Sequence, residues 1–392
     1  MPTWDVSFDL RVGIDEPEVV KAVARIEGMA GLVCSIPLPP AAQQRIDRLN
    51  ILRAVVGTTG IEGAELTEEE VGRIIDAPPG VTVLPPSRRR EEMEGRNAER
   101  VMRHVAAALR QDPTLPLTEQ LICTLHRLTT EDIDYPHNEP GIYRSHPVTA
   151  GTYVPPQDRD EMRRLMEQFI EWLNAGPPAS WPPSVQAIVA HFYVVSIHPF
   201  GDGNGRTARA VESFILYRGG INVRGFYSLA NHYYRNRDRY IELLDSTRFD
   251  GAYDLTPFVL FGLEGLLAGL EEVRQAVVDE VRVVTFRDLA RERLDQHDRI
   301  SIKVSRRLRS LLYLLAVEPL SLADLPKGSH PLFRLYRGLS DKTASRDIRL
   351  LLSEGLAIVD DDDLLRANLQ VMDGYIPSPQ LAQRSLRRRR SN

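Results

Sequence analysis

The residues most able to do chemistry lie together between His198 and Arg209. This stretch holds an imidazole, the carboxylate of Asp202, three glycines and two guanidiniums. Nucleotide phosphoryl or nucleotidyl transfer needs such a set: a base for a hydroxyl, an oxygen ligand for Mg²⁺, bare main-chain amides for a diphosphate and fixed cations. An imidazole suits the base because its unperturbed pKa is about 6.5.

Two helices are predicted to position this stretch. Residues 184–197 are largely apolar and lie between Pro183 and Pro199, which predicts a buried helix ended by the second proline. The glycines that follow allow a close ligand approach and positive φ. Helical spacing from Arg206 to Tyr217 then places a helix N-terminus after the turn, and its free N–H groups and dipole make an anion site.

Two familiar phosphate-binding loops do not fit this turn. A P-loop would need a lysine followed by Ser or Thr after its second glycine, whereas Arg206 and Thr207 follow Gly205 here. A dinucleotide fingerprint has the spacing G-x-G-x-x-G after a strand, but this turn has G-x-G-x-G after a predicted helix. Neither class explains the turn.

The stretch from His198 to Arg209 reads HPFGDGNGRTAR and closely resembles the Fic family signature HPFx(D/E)GNGRxxR at every defining position. Fic proteins mostly transfer AMP from ATP to a Ser, Thr or Tyr hydroxyl of a target protein. The resemblance implies a mainly α fold, with a Fic-type helical core that carries a β-hairpin flap. It also implies a nucleotidyltransferase that uses ATP as its substrate together with Mg²⁺.

The resemblance assigns roles to individual residues. His198 would be the general base for the target hydroxyl, and Asp202 would ligate a Mg²⁺ that bridges the α- and β-phosphates. Tyr240 would contact the adenine, although the family's nearby asparagine has no clear counterpart around Arg248. The residues implied to bind ATP are Gly201, Gly203, Asn204, Gly205, Arg206, Arg209 and Tyr240.

A second motif lies upstream. Residues 58–63 fit the pattern (S/T)xxxE(G/N), which resembles the inhibitory motif of Fic proteins. A helix is predicted from Pro40 to about Ile61, and Thr67 with Glu70 forms a capping-box pattern that opens the next helix. These signals place the motif at a helix end.

The resemblance implies that Glu62 pairs with Arg209 and removes the cation that the γ-phosphate of ATP needs. Loss of one partner of a desolvated ion pair costs several kcal/mol, enough to dominate a two-state equilibrium. The protein would then be autoinhibited. In some inhibited Fic proteins the same glutamate positions a water that hydrolyses the AMP–protein bond, so a Glu62-dependent AMP removal stays open.

Between these motifs, residues 141–144 and 148–156 resemble the Fic flap, and the run is β-prone with glycine and proline punctuation. An exposed hairpin edge there would pair with an extended target segment and bring its hydroxyl near His198. An amphipathic helix is predicted from Asp158 to Asn174. The implied target-docking residues are Val148, Thr149, Ala150, Gly151 and Thr152.

A chain of 392 residues with 43% hydrophobic residues can bury more than one core. An N-terminal strand is expected within residues 1–11, a loop at 84–90 and a long helix from Pro257 to Asp298, kinked near its glycines. The predicted domains are an N-terminal region with the inhibitory helix (1–114), the Fic catalytic core (115–250), a linking helix (251–300), a winged helix (301–370) and a basic tail (371–392).

The winged-helix prediction depends on the order of elements. A helical pattern covers 305–317, a short second element 320–325 and a further helix 340–353, which Gly355 ends; a β-hairpin with an acidic turn follows. This order resembles the module often appended to Fic cores. Such modules contact either DNA or protein. The aspartates at the wing would repel DNA phosphates, but a contact with DNA or with protein stays open.

Composition limits the remaining classes. Two cysteines without metal or pairing spacing, and no signal peptide, favour a cytoplasmic protein. No apolar run is long enough to span a membrane. A net charge of −5 argues against a protein that coats nucleic acid. A homodimer, a DNA-binding regulator with a nucleotide-sensing core, and transfer of UMP, phosphocholine or phosphate stay open.

Overall fold

The computed structural model describes residues 4–78, 80–134, 138–221, 229–249, 253–298, 300–321 and 335–376. The chain divides into two compact units, residues 1–274 and 275–392. Helices dominate the described part and the small sheet is antiparallel, so the predicted mainly α class is confirmed. The boundary between the units falls inside the region predicted as a linking helix, 251–300.

The helices from the first unit onward are α1 (Pro17–Ser35), α2 (Pro40–Gly60), α3 (Glu68–Asp76), α4 (Arg89–Gln111), α5 (Glu119–Thr130), α6 (Arg159–Ala175), α7 (Pro183–Ile197), α8 (Asn204–Arg218), α9 (Ala230–Arg235), α10 (Arg237–Phe249) and α11 (Thr256–Asp295). The second unit contains α12 (Ile302–Val317), β1 (Leu320–Ser321), α13 (Asp341–Ser353), β2 (Ala357–Val359) and β3 (Leu364–Ala367).

The centre of the first unit is the pair α7 and α8. Residues 184–197 of α7 are all buried, as predicted from their apolar composition, because the helix is surrounded by other elements. α8 packs against α7 and is flanked by α4 and α5. The turn between α7 and α8 is therefore positioned by two helices that pack against each other and against their neighbours.

α2 is held close to its neighbours at a glycine. A Cβ at Gly57 would lie 2.6 Å from the main-chain N of Asn231, so only glycine allows α2 to approach α9 this closely. After α2, the predicted capping box is confirmed: the main-chain N of Glu70 donates to Thr67 Oγ1 (3.1 Å), and the N of Thr67 donates to Glu70 Oε2 (3.1 Å).

Some local predictions were wrong. The described residues 4–10 form no strand, and Arg11 makes only an isolated bridge to Asp254, because the helices around this segment offer no strand to pair with. The helix α1 was not predicted from the sequence. The segment predicted as a loop at 84–90 contains a 3₁₀ turn at Pro86–Arg88, and α4 begins directly after it.

The glycines of α11 permit close packing. Gly262 and Gly265 lie within this continuous helix. A Cβ at these positions would lie 2.6 Å from Ile188 Cδ1 and 2.5 Å from His232 Cγ, respectively. These glycines therefore let α7 and α9 approach the helix.

In the second unit the strand order is β1-β3-β2, all antiparallel. The predicted hairpin is confirmed as β2 and β3, and Gly355, at φ +67°, follows α13 as predicted. The short second element begins as β1, while residues 322–325 lie outside the described residues, as does the arginine run at 387–390 of the tail. The winged helix therefore stays a prediction.

Candidate active site

His198 occupies the C-terminal end of α7. Its backbone is left-handed (φ +53°, ψ +59°), and its N–H donates to Val194 O (3.0 Å). Nδ1 lies 3.2 Å from Val195 O, so the ring is assigned its proton on Nδ1, which leaves the Nε2 lone pair unprotonated. Burial and the cations of Arg144 and Arg248 lower the His198 pKa to about 4. The imidazole is therefore neutral at neutral pH.

Arg144 connects the first part of the flap segment to the turn after α7. Its Nε donates to His198 O (2.8 Å), and its main-chain N donates to Pro199 O (3.0 Å). The side chain is only 2% exposed. Tyr153, at the other end of the flap, donates its hydroxyl to Ser196 O (2.9 Å). Both ends of the flap segment are thus hydrogen-bonded to the end of α7 or to the turn that follows it.

The predicted flap hairpin is reduced to a tight turn. Ala150 and Tyr153 exchange two main-chain hydrogen bonds (2.9 and 3.1 Å), with Gly151 at φ +60° between them. The pairing is an isolated bridge, and it is not extended into a ladder on either side. Of the predicted docking residues, Thr149, Gly151 and Thr152 are exposed, while Val148 and Ala150 are half-buried.

The signature turn is closed by its own asparagine. Asn204 Oδ1 accepts from Phe200 N (2.9 Å), and Nδ2 donates to Phe200 O (2.8 Å). Because this side chain is used within the turn and is 2% exposed, a phosphate contact from Asn204 would have to come from its main-chain N–H. α8 begins here, with Gly203 as its N-cap at φ +73°. The first N–H groups of α8 have no intrahelical acceptor, which suits an anion.

Arg206 lies between two carboxylates. Its Nη2 is 2.9 Å from Asp202 Oδ2, and its Nη1 is 3.3 Å from Glu94 Oε1 on α4. Arg206 and Glu94 are each 5% exposed. The role of Glu94 was not predicted from the sequence. Its signal there is weak: a glutamate on the side of α4 that also carries the buried positions Asn97 and Val101.

Arg209 is held by the residues of the upstream motif. Its Nη2 lies 2.7 Å from Glu62 Oε1 and donates to Thr58 O (3.0 Å), while its Nε donates to Thr58 Oγ1 (2.9 Å). Arg209 is 2% exposed, whereas 33% of the Glu62 side chain is exposed. Desolvation opposes ionisation of Glu62, but the guanidiniums of Arg209 and Arg206 outweigh it and hold the Glu62 pKa below its usual range.

Gly205 makes room for this ion pair. A Cβ at this position would lie 2.6 Å from Glu62 Oε1 and 3.2 Å from Arg209 Nη1. The Glu62 carboxylate thus lies directly on the glycine turn, over the N-terminus of α8. The negative charge of Glu62 occupies the region to which the helix N-terminus would attract an anion.

Tyr240 is buried in the interior of the first unit. Its hydroxyl is 2.9 Å from Nε2 of His191, its ring stacks on Tyr233 with centroids 4.8 Å apart, and burial raises its pKa. At 6% exposure, little of the ring is accessible in this state. Its contact with adenine stays a prediction.

Asp202 is the carboxylate that the signature turn itself carries. Among the described residues no three His, Cys, Asp or Glu side chains cluster as a metal site. Mg²⁺ bound with a nucleotide takes one or two carboxylates and fills its remaining positions with phosphate oxygens and water. Asp202, whose side chain is 21% exposed, fits that mode of binding.

The arrangement supplies a neutral imidazole, a helix N-terminus, two guanidiniums and a carboxylate around one turn. A base, an anion cradle and a carboxylate are what nucleotidyl transfer requires. No helix in the described part of the chain combines the length and apolar character needed to cross a membrane.

Comparison with known proteins gives the same family as the signature. The family model described as Fic/DOC family matches residues 116–216. The protein adenylyltransferase Fic of Drosophila ananassae is 32% identical over 180 residues, which are 46% of this chain and 35% of the relative. The namesake from Nematostella vectensis is 29% identical over 234 residues, 58% of this chain and 49% of the relative. The chain thus spans about a third to a half of the length of these curated relatives.

Solved structures agree in fold. A Fic family protein from Desulfovibrio desulfuricans aligns with a TM-score of 0.56 and 23% identity over 94% of this chain and 98% of its own. Fic-1 from C. elegans aligns with a TM-score of 0.54 and 22% identity over 66% and 72%. From the signature at residues 198–209 and the family-model match that surrounds it, we conclude that residues 116–216 form a domain of the Fic/DOC family.

Proposed function

We propose that the protein is an adenylyltransferase that moves AMP from ATP to a Ser, Thr or Tyr hydroxyl of a target protein. The observation that carries this proposal is the neutral His198 imidazole, with an unprotonated Nε2, beside a helix N-terminus that presents Arg206 and Arg209. The names of the relatives in Drosophila and Nematostella support the reaction class.

In the proposed reaction His198 Nε2 takes the proton of the target hydroxyl, and that oxygen attacks the α-phosphorus of ATP. A bond forms between the acceptor oxygen and phosphorus, the α–β phosphoanhydride bond breaks, and pyrophosphate leaves. The N–H groups at the start of α8 and the guanidinium of Arg206 would stabilise the charge on the phosphates. When bound, Mg²⁺ would neutralise phosphate charge beside Asp202.

We also propose that Glu62 inhibits this reaction. Its carboxylate forms an ion pair with Arg209 (2.7 Å) and lies over Gly205. Arg209 is then not available to the γ-phosphate of ATP, and the carboxylate fills the space that this phosphate would take. Glu62 holds its negative charge because its pKa is lowered. Like charges repel, so the triphosphate must displace this carboxylate before it can bind productively.

The test is transfer of label by the full-length Glu62→Gly variant. It is incubated with ATP labelled in the α-phosphate and with cell lysate, and modified proteins are detected by autoradiography. We expect labelling that exceeds that of the parent and that His198→Ala in the same background abolishes. Glu65→Gly, which alters an exposed glutamate three residues away, is the matched control and should behave like the parent.

Two results would contradict the proposal. Labelling that persists after His198→Ala would exclude this imidazole as the base. Label transferred from the γ-phosphate and not from the α-phosphate would make the protein a phosphotransferase. Unlabelled UTP or CDP-choline is added as a competitor to the labelling reaction. Loss of labelling identifies UMP or phosphocholine transfer, which the sequence left open.

A second candidate is Glu62-dependent removal of AMP. The observation that favours it is the exposure of one third of the Glu62 side chain, whose carboxylate is ionised at neutral pH because its pKa is lowered. Such a carboxylate can orient a water for attack on a phosphodiester. Release of AMP from a modified protein by the parent, and its loss in Glu62→Gly, would establish this activity. Contact with DNA or a protein through the second unit stays a prediction.

A further inference from the structure

His126 on α5 is a buried imidazole that joins the flap segment to the signature turn. The main-chain N–H of Gly141 donates to its Nδ1 (2.8 Å), and its Nε2 lies 2.9 Å from the main-chain O of Asp202. The ring is 1% exposed and stacks on Phe200 with centroids 3.7 Å apart and planes 2° apart. Neither the proposed mechanism nor the signature uses this residue.

The hydrogen bonds determine which nitrogen of His126 carries the proton. An N–H can only donate, so Nδ1 must accept from Gly141 and is unprotonated. The carbonyl oxygen of Asp202 can only accept, so the ring nitrogen that faces it must be the donor. The single proton is therefore on Nε2, and Nε2–H donates to the carbonyl of Asp202.

That bond has a consequence on the opposite side of the peptide. The Asp202–Gly203 peptide is planar and trans, so its C=O and the N–H of Gly203 point in opposite directions. With the carbonyl held toward α5 by His126, the Gly203 N–H points away from α5. Gly203 is the N-cap of α8, so this N–H joins the amides that face a bound anion.

The backbone conformation agrees with this constraint. Gly203 has φ +73°, and a Cβ there would lie 2.6 Å from Thr130 Cγ2 and 3.5 Å from His126 Nε2. The turn therefore rests directly on α5. A glycine in such a position can rotate its preceding peptide at little steric cost, so the orientation of the amide needs an external anchor.

We propose that His126 is a positioning residue that holds the Asp202–Gly203 peptide in the orientation required for phosphate binding. This rests on the proposed function, since it places a nucleotide diphosphate at the N-terminus of α8. A main-chain N–H bonded to a charged phosphate contributes roughly ten- to a hundredfold in affinity. Loss of the His126–Asp202 bond should therefore weaken nucleotide binding by at least about tenfold.

Two substitutions separate the two hydrogen bonds of His126. In His126→Gln the side-chain amide reaches the position of Nε2, so it keeps the donor to Asp202 O and loses the acceptor for Gly141. In His126→Asn the side-chain oxygen takes the position of Nδ1, which keeps the bond from Gly141 and loses the donor to Asp202. Both variants lose the ring that stacks on Phe200, so their comparison removes that effect.

The experiment measures ADP affinity by calorimetry in the full-length Glu62→Gly background, and crystal structures of both variants determine the peptide orientation. We expect His126→Gln to bind within about threefold of its parent and His126→Asn to bind at least about tenfold more weakly, with the peptide rotated or disordered only in His126→Asn. Equal loss in both variants, or no loss in His126→Asn, would overturn the proposal.

Failure of the proposed function gives a different result. If the Glu62→Gly parent itself binds no ADP, nucleotide transfer at this site is refuted whatever His126 does. The crystal structures still decide the inference in that case, because a peptide that keeps its orientation in His126→Asn shows that the histidine does not hold it. Thermal unfolding of both variants identifies a general loss of folding.

Discussion

The strength of the Glu62–Arg209 pair predicts how far its removal raises nucleotide affinity. Glu62→Gln keeps the size of the side chain and removes its charge. A hydrogen bond to a charged group contributes about 1.5–3 kcal/mol. Arg209 is 2% exposed but one third of the Glu62 side chain is exposed, so solvent screening favours the lower part of this range, about 2 kcal/mol. We call the state with the Glu62–Arg209 pair formed closed and the state with the pair broken open. At about 1.4 kcal/mol per factor of ten, Glu62→Gln shifts the equilibrium between these states about 30-fold toward the open state.

The apparent affinity for nucleotide should rise by the same factor. A ligand that binds only the open state has an apparent affinity that is reduced in proportion to the fraction of protein in that state. The assay is calorimetric titration with a non-hydrolysable ATP analogue in the presence of Mg²⁺. Glu65→Gln, at an exposed position of the same loop, is the control and should match the parent. An affinity in Glu62→Gln within about twofold of the parent, with unchanged thermal stability, would refute the ion-pair switch.

Three further predictions concern protonation and the glycine turn. With the His198 pKa at about 4, the labelling rate of the activated variant should stay constant from about pH 8 to 6 and fall toward pH 4, whereas an ordinary imidazole would lose half its rate at about pH 6.5. The folded state binds fewer protons than the unfolded state between the ordinary His126 pKa of 6.5 and its folded value of about 4. The free energy of unfolding should therefore fall by up to about 3 kcal/mol as pH drops through that window, and pH-dependent denaturation of His126→Gln should lack this component. Gly203→Ala should destabilise the protein by about 1–3 kcal/mol, since the Cβ meets Thr130 at positive φ; Gly151→Ala, with positive φ but open space, should cost only the backbone strain of about 1 kcal/mol. Equal thermal shifts in these two glycine variants would contradict the packing argument.

The local structure around the site could be predicted from the sequence. The apolar run of 184–197 between two prolines predicted α7, and the Thr67–Glu70 spacing predicted the capping box that the structure contains. These predictions succeed because a helix and its caps depend on residues within four positions of one another. The N-terminal strand failed for the opposite reason, since a strand needs a partner that no local pattern supplies.

The side-chain partners of the signature depended on the tertiary structure. Glu94 and His126 reach Arg206 and the carbonyl of Asp202 from other helices, and no spacing in the sequence points to either contact. The position of Tyr240 is similar: the resemblance to the family implied a contact with adenine, which stays a prediction, whereas the packing of this residue against His191 and Tyr233 depends on the tertiary structure.

The amino-acid sequence by itself determined the chemistry available: the imidazole, the glycines and the arginines lie within twelve residues, from His198 to Arg209. Tertiary structure decided how that chemistry is held. Glu62 and Arg209 lie 147 positions apart in the chain yet come within 2.7 Å, because α2 and α8 both pack against α4 and contact each other. A contact of this kind is set by the packing of whole helices, which depends on the shapes of many side chains at once.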